Sequence, residues 1–163
     1  MKAIVYTSNT GFTAQYALML GEKTGLPIYP LADALETLEK GTEVIYMGWL
    51  MAGSVRDYGK AKRHFRIAAV CGVGLCDTGC LLKEVRRAIS LPENIPLFTL
   101  QGGMDHNKLT GIYKKMIDTL IKVLSLRKKR TPDDERMLQL LTQNGCYVRE
   151  ENLSAVLEWY QGK

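Results

Sequence analysis

The sequence predicts an α/β fold: a five-stranded parallel sheet in the order 2-1-3-4-5, covered by helices on both faces, in one domain over residues 1–163. Three observations predict it. Short apolar runs alternate with stretches of helical periodicity along the whole chain. Two of the runs, Glu43–Gly48 and Arg66–Cys71, are almost continuously apolar, as in strands buried on both faces. The runs beginning at Ala3, Glu43 and Arg66 each give way to a loop rich in glycine or hydroxyl residues.

The first strand is Ala3–Tyr6, followed by a loop and a helix that carries Ala14, Ala17, Leu18 and Gly21 and ends near Lys23-Thr24-Gly25. Leu26–Pro30 is a second, brief extended piece, which its two prolines confine to a sheet edge. A helix over Leu31–Lys40 puts Leu31, Ala34, Leu35 and Leu38 on one face, and Gly41 closes it. The third strand, Glu43–Gly48, opens into the loop Gly48–Ser54. Asp57–His64 is a short helix weakened by Gly59, at a cost of roughly 1 kcal/mol against alanine. The fourth strand, Arg66–Cys71, runs into Gly72–Gly79, and a helix bearing Leu81, Leu82, Val85, Ala88 and Ile89 stops before Pro92. Pro96–Gln101 is the fifth strand.

Beyond it, Leu109, Ile112, Tyr113, Met116, Ile117, Leu120 and Leu124 keep helical spacing, a stripe read as core packing. Thr131-Pro132-Asp133-Asp134-Glu135 starts another helix, with Thr131 as cap, proline in the first turn and acids facing the positive end of the dipole. That helix stops near Asn144-Gly145, and a last one runs from Asn152 or Leu153 to Trp159. The helices after Thr131 extend the minimal five-strand plan as a packed C-terminal extension.

The loop Ser8-Asn9-Thr10-Gly11-Phe12-Thr13 carries the clearest chemical signal. Backbone N–H groups at a helix start lack intrahelical partners and, with the dipole, favour an anion. Hydroxyls at Ser8, Thr10 and Thr13 add donors, and Gly11 lets backbone approach a ligand closely. With no Lys or Arg in the loop, the anion is held by neutral donors. The loop lacks the Gly-Lys-Ser/Thr ending of a Walker A motif and the Gly-x-Gly-x-x-Gly turn of dinucleotide folds. An ordinary N-cap is the alternative for such a hydroxyl-rich start.

Ser8-x-Thr10-Gly11-x-Thr13 after the first strand resembles the FMN phosphate-binding loop of flavodoxins, in which asparagine often stands where this chain has Phe12. The Gly102-Gly103-Met104 turn, the long helix and the C-terminal extension resemble the branch related to menaquinone-dependent protoporphyrinogen oxidase. The resemblance implies an FMN cofactor, with its phosphate on Ser8, Asn9, Thr10, Gly11, Phe12 and Thr13. It implies a flavin ring flanked by two loops: Gly48, Trp49, Leu50, Met51, Ala52 and Gly53, and Gly72, Val73, Gly74, Leu75, Cys76 and Asp77. Trp49 either stacks on the ring or closes the top of the sheet as an apolar residue.

Composition narrows the classes. Hydrophobic residues at 46% and charged residues at 24% are those of a globular protein. No apolar run approaches the ~20 residues needed to cross a bilayer, and no signal peptide precedes the first strand, so a cytoplasmic location is expected. The net charge of +5 comes largely from Arg56–Arg66 and Arg127-Lys128-Lys129-Arg130. The second run reads as a solvated helix end, without the interleaved aromatics that nucleic-acid stacking requires. The spacing of Cys71, Cys76 and Cys80 is neither a Cys-x-x-Cys pair nor a four-ligand set. Cys71 and Cys80 read as small buried hydrophobes, with redox-sensitive thiols as the alternative.

Three functions remain on these grounds. The first is an FMN-dependent electron carrier serving a protein partner or a small acceptor such as a quinone, with no catalytic acid or base and with peripheral contact to a membrane as an option. The second is a flavin-dependent oxidase or reductase using Asp105, His106 or Cys76 as proton donor. The third is an interaction module of the same shape that has lost its cofactor.

Overall fold

A computed structural model describes residues 1–163. In chain order the elements are β1 (Ala3–Thr7), α1 (Phe12–Thr24), β2 (Ile28–Pro30), α2 (Leu31–Thr37), β3 (Glu43–Met51), β4 (Ser54–Val55), α3 (Tyr58–His64) and β5 (Arg66–Gly74). There follow α4 (Leu82–Ala88), β6 (Leu97–Gln101), β7 (Gly103–Met104), α5 (Gly111–Ser125), α6 (Pro132–Thr142), β8 (Gly145–Cys146), a 3₁₀ turn over Glu150–Leu153, and α7 (Ser154–Gln161).

Five strands run parallel in the order β2-β1-β3-β5-β6. β2, with its proline, takes the edge, where a missing N–H costs no ladder bond. β4, β7 and β8 have two residues each and are additional to the five strands expected, so the strand count and its numbering across the sheet differ from 2-1-3-4-5. β4 pairs antiparallel with β3, and β7 pairs antiparallel with β8.

Alternation of side chains along the strands feeds two cores. Ala3, Val5, Val44 and Tyr46 pack against Leu31 and Ala34 of α2, Tyr58 and Ala61 of α3, and Val85 and Ile89 at α4. Ile4, Ile45, Met47 and Cys71 meet Tyr16, Ala17 and Leu20 of α1 and Leu153 and Val156 at α7. Each valine, leucine, isoleucine or methionine among them, fully buried, contributes about 1.5–3 kcal/mol of transfer free energy.

Several boundaries move. α2 ends at Thr37, because Leu38 adopts an extended conformation and packs on the core, so Gly41 closes a turn rather than the helix. β3 and β5 each continue three residues past their expected ends, to Met51 and Gly74. α6 starts as its sequence requires: Thr131 Oγ1 accepts from the Asp134 N–H, and the Asp134 carboxylate accepts from the Thr131 N–H.

The largest correction concerns α5. Of its stripe, only Leu124 and the preceding Leu109 are buried, while Ile112 is 67% exposed and Met116 and Leu120 are each 42% exposed. The helix does not lie on the sheet. Gly103–Cys146 and Met104–Gly145 pair side by side, so the chain between them leaves the body and returns at one place. The excursion is a hairpin of α5 and α6 with a small core of its own, built on Met104, Leu109, Leu124 and Leu141. The sheet face beside α1 is covered instead by α7.

Candidate functional site

The carboxyl ends of the parallel strands open into a cleft of about 470 Å³, a size suited to a small organic ligand or cofactor. The β1–α1 loop forms one corner, the β3–β4 hairpin and the segment after β5 form the walls, and α5 and α6 form the roof. Of its 27 lining residues 19 are hydrophobic, so polar groups are concentrated at the β1–α1 corner.

That corner is an array of unused donors. Gly11, at φ 100°, holds the backbone in the left-handed region and turns the chain into α1. Ser8 Oγ accepts from the N–H groups of Gly11 and Ala14, at 3.2 and 3.4 Å. The N–H groups of Asn9, Thr10, Phe12 and Thr13 meet no protein acceptor. Thr13 is 1% exposed and lines the cleft, and its hydroxyl also bonds to no protein group. Such a set of donors at the start of a 13-residue helix favours an anion. A cation stands beside it that the local sequence does not reveal: Lys108 Nζ lies 4.0 Å from where a Cβ of Gly11 would sit. The Lys108 ammonium also lies 3.6 Å from an Asp105 carboxylate oxygen.

Phe12 lines the cleft beside the donors. Its ring lies against the backbone of Gly102 and Gly103, where a Cβ on Gly103 would come within 2.9 Å of it.

The two flanking loops are built differently from the sequence expectation. Gly48–Ser54 is a hairpin: Leu50 pairs with Val55 and Met51 with Ser54 across Ala52 and Gly53, whose φ values of 49° and 77° are those of a tight two-residue turn. Trp49, Leu50, Met51, Ala52 and Gly53 line the cleft, while Gly48 lies beneath it in β3. A Cβ at Gly48 would stand 2.6 Å from Val55 Cγ1 and 2.8 Å from the Arg56 carbonyl, so its smallness serves β4 rather than a ligand. The same holds in β5: Cβ atoms on Gly72 and Gly74 would meet the Leu50 side chain at 2.8 and 3.0 Å. These glycines seat Leu50 as the floor of the cleft. Val73, Gly74, Leu75 and Cys76 line it, whereas Gly72 lies below, and Asp77 points outward to Arg136 of α6 at 2.6 Å.

Trp49 neither stands free nor simply caps the sheet. Its ring meets Tyr113 of α5 edge to face, with centroids 5.0 Å apart, and the Arg56 guanidinium lies 5.8 Å from the Tyr113 ring centre. The two aromatics make one wall of the cleft.

Cys80 lines the cleft from the loop before α4 and is half-buried, not a core residue. The turn Asp77–Cys80, closed by the Cys80 N–H on the Asp77 carbonyl at 3.1 Å, sets it near Cys76. Burial, and next the neighbouring Cys76, push the Cys80 thiol up to about 12, so it is protonated at neutral pH. Cys71, wholly buried, is pushed up to about 12 by desolvation alone. Asp105 and His106 do not line the cleft; the His106 N–H donates to Asn144 Oδ1, and its Nε2 is buried without a partner. Cys76, Cys80 and Tyr113 are the ionisable side chains that do line it.

Sequence reasoning missed Lys108 and the roof, Tyr113, Met116, Ile117, Leu120 and Met137. A signal for the roof was present: the apolar arc of α5 is wider than one packed face requires.

No protein-family model, no curated protein and no solved structure matches this chain. The geometry of the cleft therefore carries the functional reading.

Proposed function

We propose that the chain is a flavodoxin-like FMN-binding redox protein. One observation carries the reading: four unpartnered backbone N–H groups and the free Thr13 hydroxyl converge at one polar corner of an otherwise apolar cleft with an aromatic wall. FMN has that layout, a phosphate at one end and a flat aromatic ring at the other. Ser8, Thr10, Thr13 and the amides of Asn9, Thr10, Phe12 and Thr13 would hold the phosphate, with Lys108 adding a positive charge. Trp49, Tyr113, Leu50 and Leu75 would enclose the ring. Bound flavin supplies one- and two-electron transfer, and the protein's contribution is orientation, a dry surround and backbone dipoles.

The α5–α6 roof favours a small acceptor over a large partner docked on the ring, because Met116, Ile117 and Leu120 cover the side from which a protein would approach. A flavin-dependent reductase or oxidase acting on a small organic molecule such as a quinone is accordingly the second reading. Cys76 is its one candidate proton donor among the three named above.

Titration of FMN into the purified chain, followed by quenching of tryptophan fluorescence and by the visible spectrum, tests the proposal. Saturation at micromolar or lower concentration is the expected result. Absence of binding at millimolar FMN, equivalent to less than about 4 kcal/mol of binding free energy, would sink both redox readings and leave an interaction module. Turnover with a water-soluble quinone separates the two redox readings, and loss of that turnover in Cys76→Ser assigns the proton donor.

A further inference from the structure

The roof helix α5 presents two apolar faces: one packs within the hairpin, and the other borders the cleft at Met116 and Leu120 and is otherwise open to solvent. Tyr113, Ile117, Ile121 and Leu124 pack on α6 and the hairpin core. Ile112, Met116, Leu120 and Val123 recur at i, i+4, i+8 and i+11, with Leu126 just beyond, and form a second apolar stripe. Its members are 67, 42, 42, 52 and 72% exposed, whereas the rest of the chain exposes only Leu18, Leu81 and Leu82 among its large apolar residues. Scattered exposed leucines need no explanation, but five apolar residues in line along one helix do.

The charge beside the stripe identifies its occupant. Between Gly111 and Arg130 there are seven cations and one acid, Asp118, so this segment's excess is larger than the +5 of the entire chain. Arg127 and Arg130 are engaged by Asp134 and Glu135 of α6. Lys114, Lys115, Lys122, Lys128 and Lys129 form no ion pair and are all exposed.

We infer that the outer face of α5 docks this protein on a bilayer rich in anionic phospholipid. A basic amphipathic helix with an exposed apolar stripe lies in the headgroup plane: the apolar side chains enter the acyl boundary while lysines meet lipid phosphates. A second copy of the chain is a poorer occupant, since pairing two such helices would set Lys115 and Lys122 of each against like charge. Met116 and Leu120 belong both to the stripe and to the cleft lining, so docking would turn the cleft mouth toward the acyl region. The inference rests on α5 and the basic segment that follows it, and stands whether or not the cleft takes FMN.

Co-sedimentation of the full chain with vesicles tests it, using phosphatidylglycerol and phosphatidylcholine in equal parts against phosphatidylcholine alone. The expected result is binding at least about tenfold stronger to the anionic vesicles, weakening as salt is raised. Val123→Ser/Leu126→Ser and Lys128→Glu/Lys129→Glu, all exposed and outside the cleft, should each weaken it about tenfold while the melting temperature stays unchanged. Failure to sediment with the anionic vesicles, or equal binding to both compositions, would overturn the inference. So would a dimer in solution that Val123→Ser/Leu126→Ser converts to monomer, which would assign the stripe to a second copy.

Discussion

Thr13 concentrates the chemistry of the cleft in a single side chain: the residue is 1% exposed, it lines the cleft, and no protein group bonds its hydroxyl. Replacing it by valine keeps the shape and removes the donor. Thr13→Val should weaken FMN binding about tenfold, the size of one hydrogen bond to a charged group, and leave the unfolding midpoint of the free protein almost where it was. Fluorescence titration and urea unfolding of the same variant check the two halves. Gly48 makes a different kind of demand. A methyl group there would push into the Arg56 carbonyl at 2.8 Å as well as Val55, and backbone cannot move aside as a flexible side chain can. Gly48→Ala should destabilise the fold by about 1–3 kcal/mol in urea, by prising β4 off β3. The buried Tyr46 hydroxyl, which donates to that same Arg56 carbonyl at 2.6 Å and accepts from Thr7, ties the hairpin to β1 and would lose its partner with it.

At the scale of elements, the α5–α6 hairpin is the part that can be removed. Because Met104 and Gly145 are already paired neighbours, a two-residue Asn-Gly turn joining them replaces residues 105–144 without stretching either strand. The shortened chain should keep a cooperative thermal transition, since the two cores on the faces of the sheet take little from the hairpin. Its FMN affinity should fall by at least about tenfold, as Tyr113 and the roof go with it. The hairpin also carries its own pH dependence. Bonding to the Thr131 N–H, and next the Arg127 guanidinium, hold the Asp134 carboxyl below the usual carboxylate range. Its folded pKa lies below its unfolded one, so the stabilisation is present above the ordinary aspartate value and is lost as pH falls through the folded one. Amide exchange in α6 should therefore quicken as pH drops below about 4 beyond what intrinsic exchange predicts, and Asp134→Asn should abolish that excess.

Over the whole molecule, function and stability meet at the strand ends. A ligand that binds only the folded chain adds RT ln(1 + [L]/Kd), about 2.7 kcal/mol at a hundredfold excess over Kd. For a chain of this length that is a rise of roughly 5–10 °C in the melting temperature, and differential scanning with and without FMN measures it. The charge is divided at the same scale. The segment Gly111–Arg130 carries more positive charge than the net +5 of the whole chain, and Arg56–Arg66 sets a second group of cations on the body.

The sequence by itself determined what acts over a few residues. The alternation of strands and helices, the edge position forced on Ile28–Pro30 and the capping box at Thr131 follow from periodicity, ring geometry and local donors. Its hydroxyl-rich first loop likewise carried the unpartnered donors in its own residues. What tertiary structure alone decided is who occupies the space beside those residues. Gly72 and Gly74 read as room for a ligand until the register of β3 with β4 and β5 put Leu50 there. Asp77 read as part of the site until α6 brought Arg136 to it, and no local pattern placed Lys108 beside Gly11. The stripe of α5 gave helical period but not the surface it would meet. Periodicity fixes which side chains share a face, whereas only contacts between residues far apart in the chain fix what covers that face.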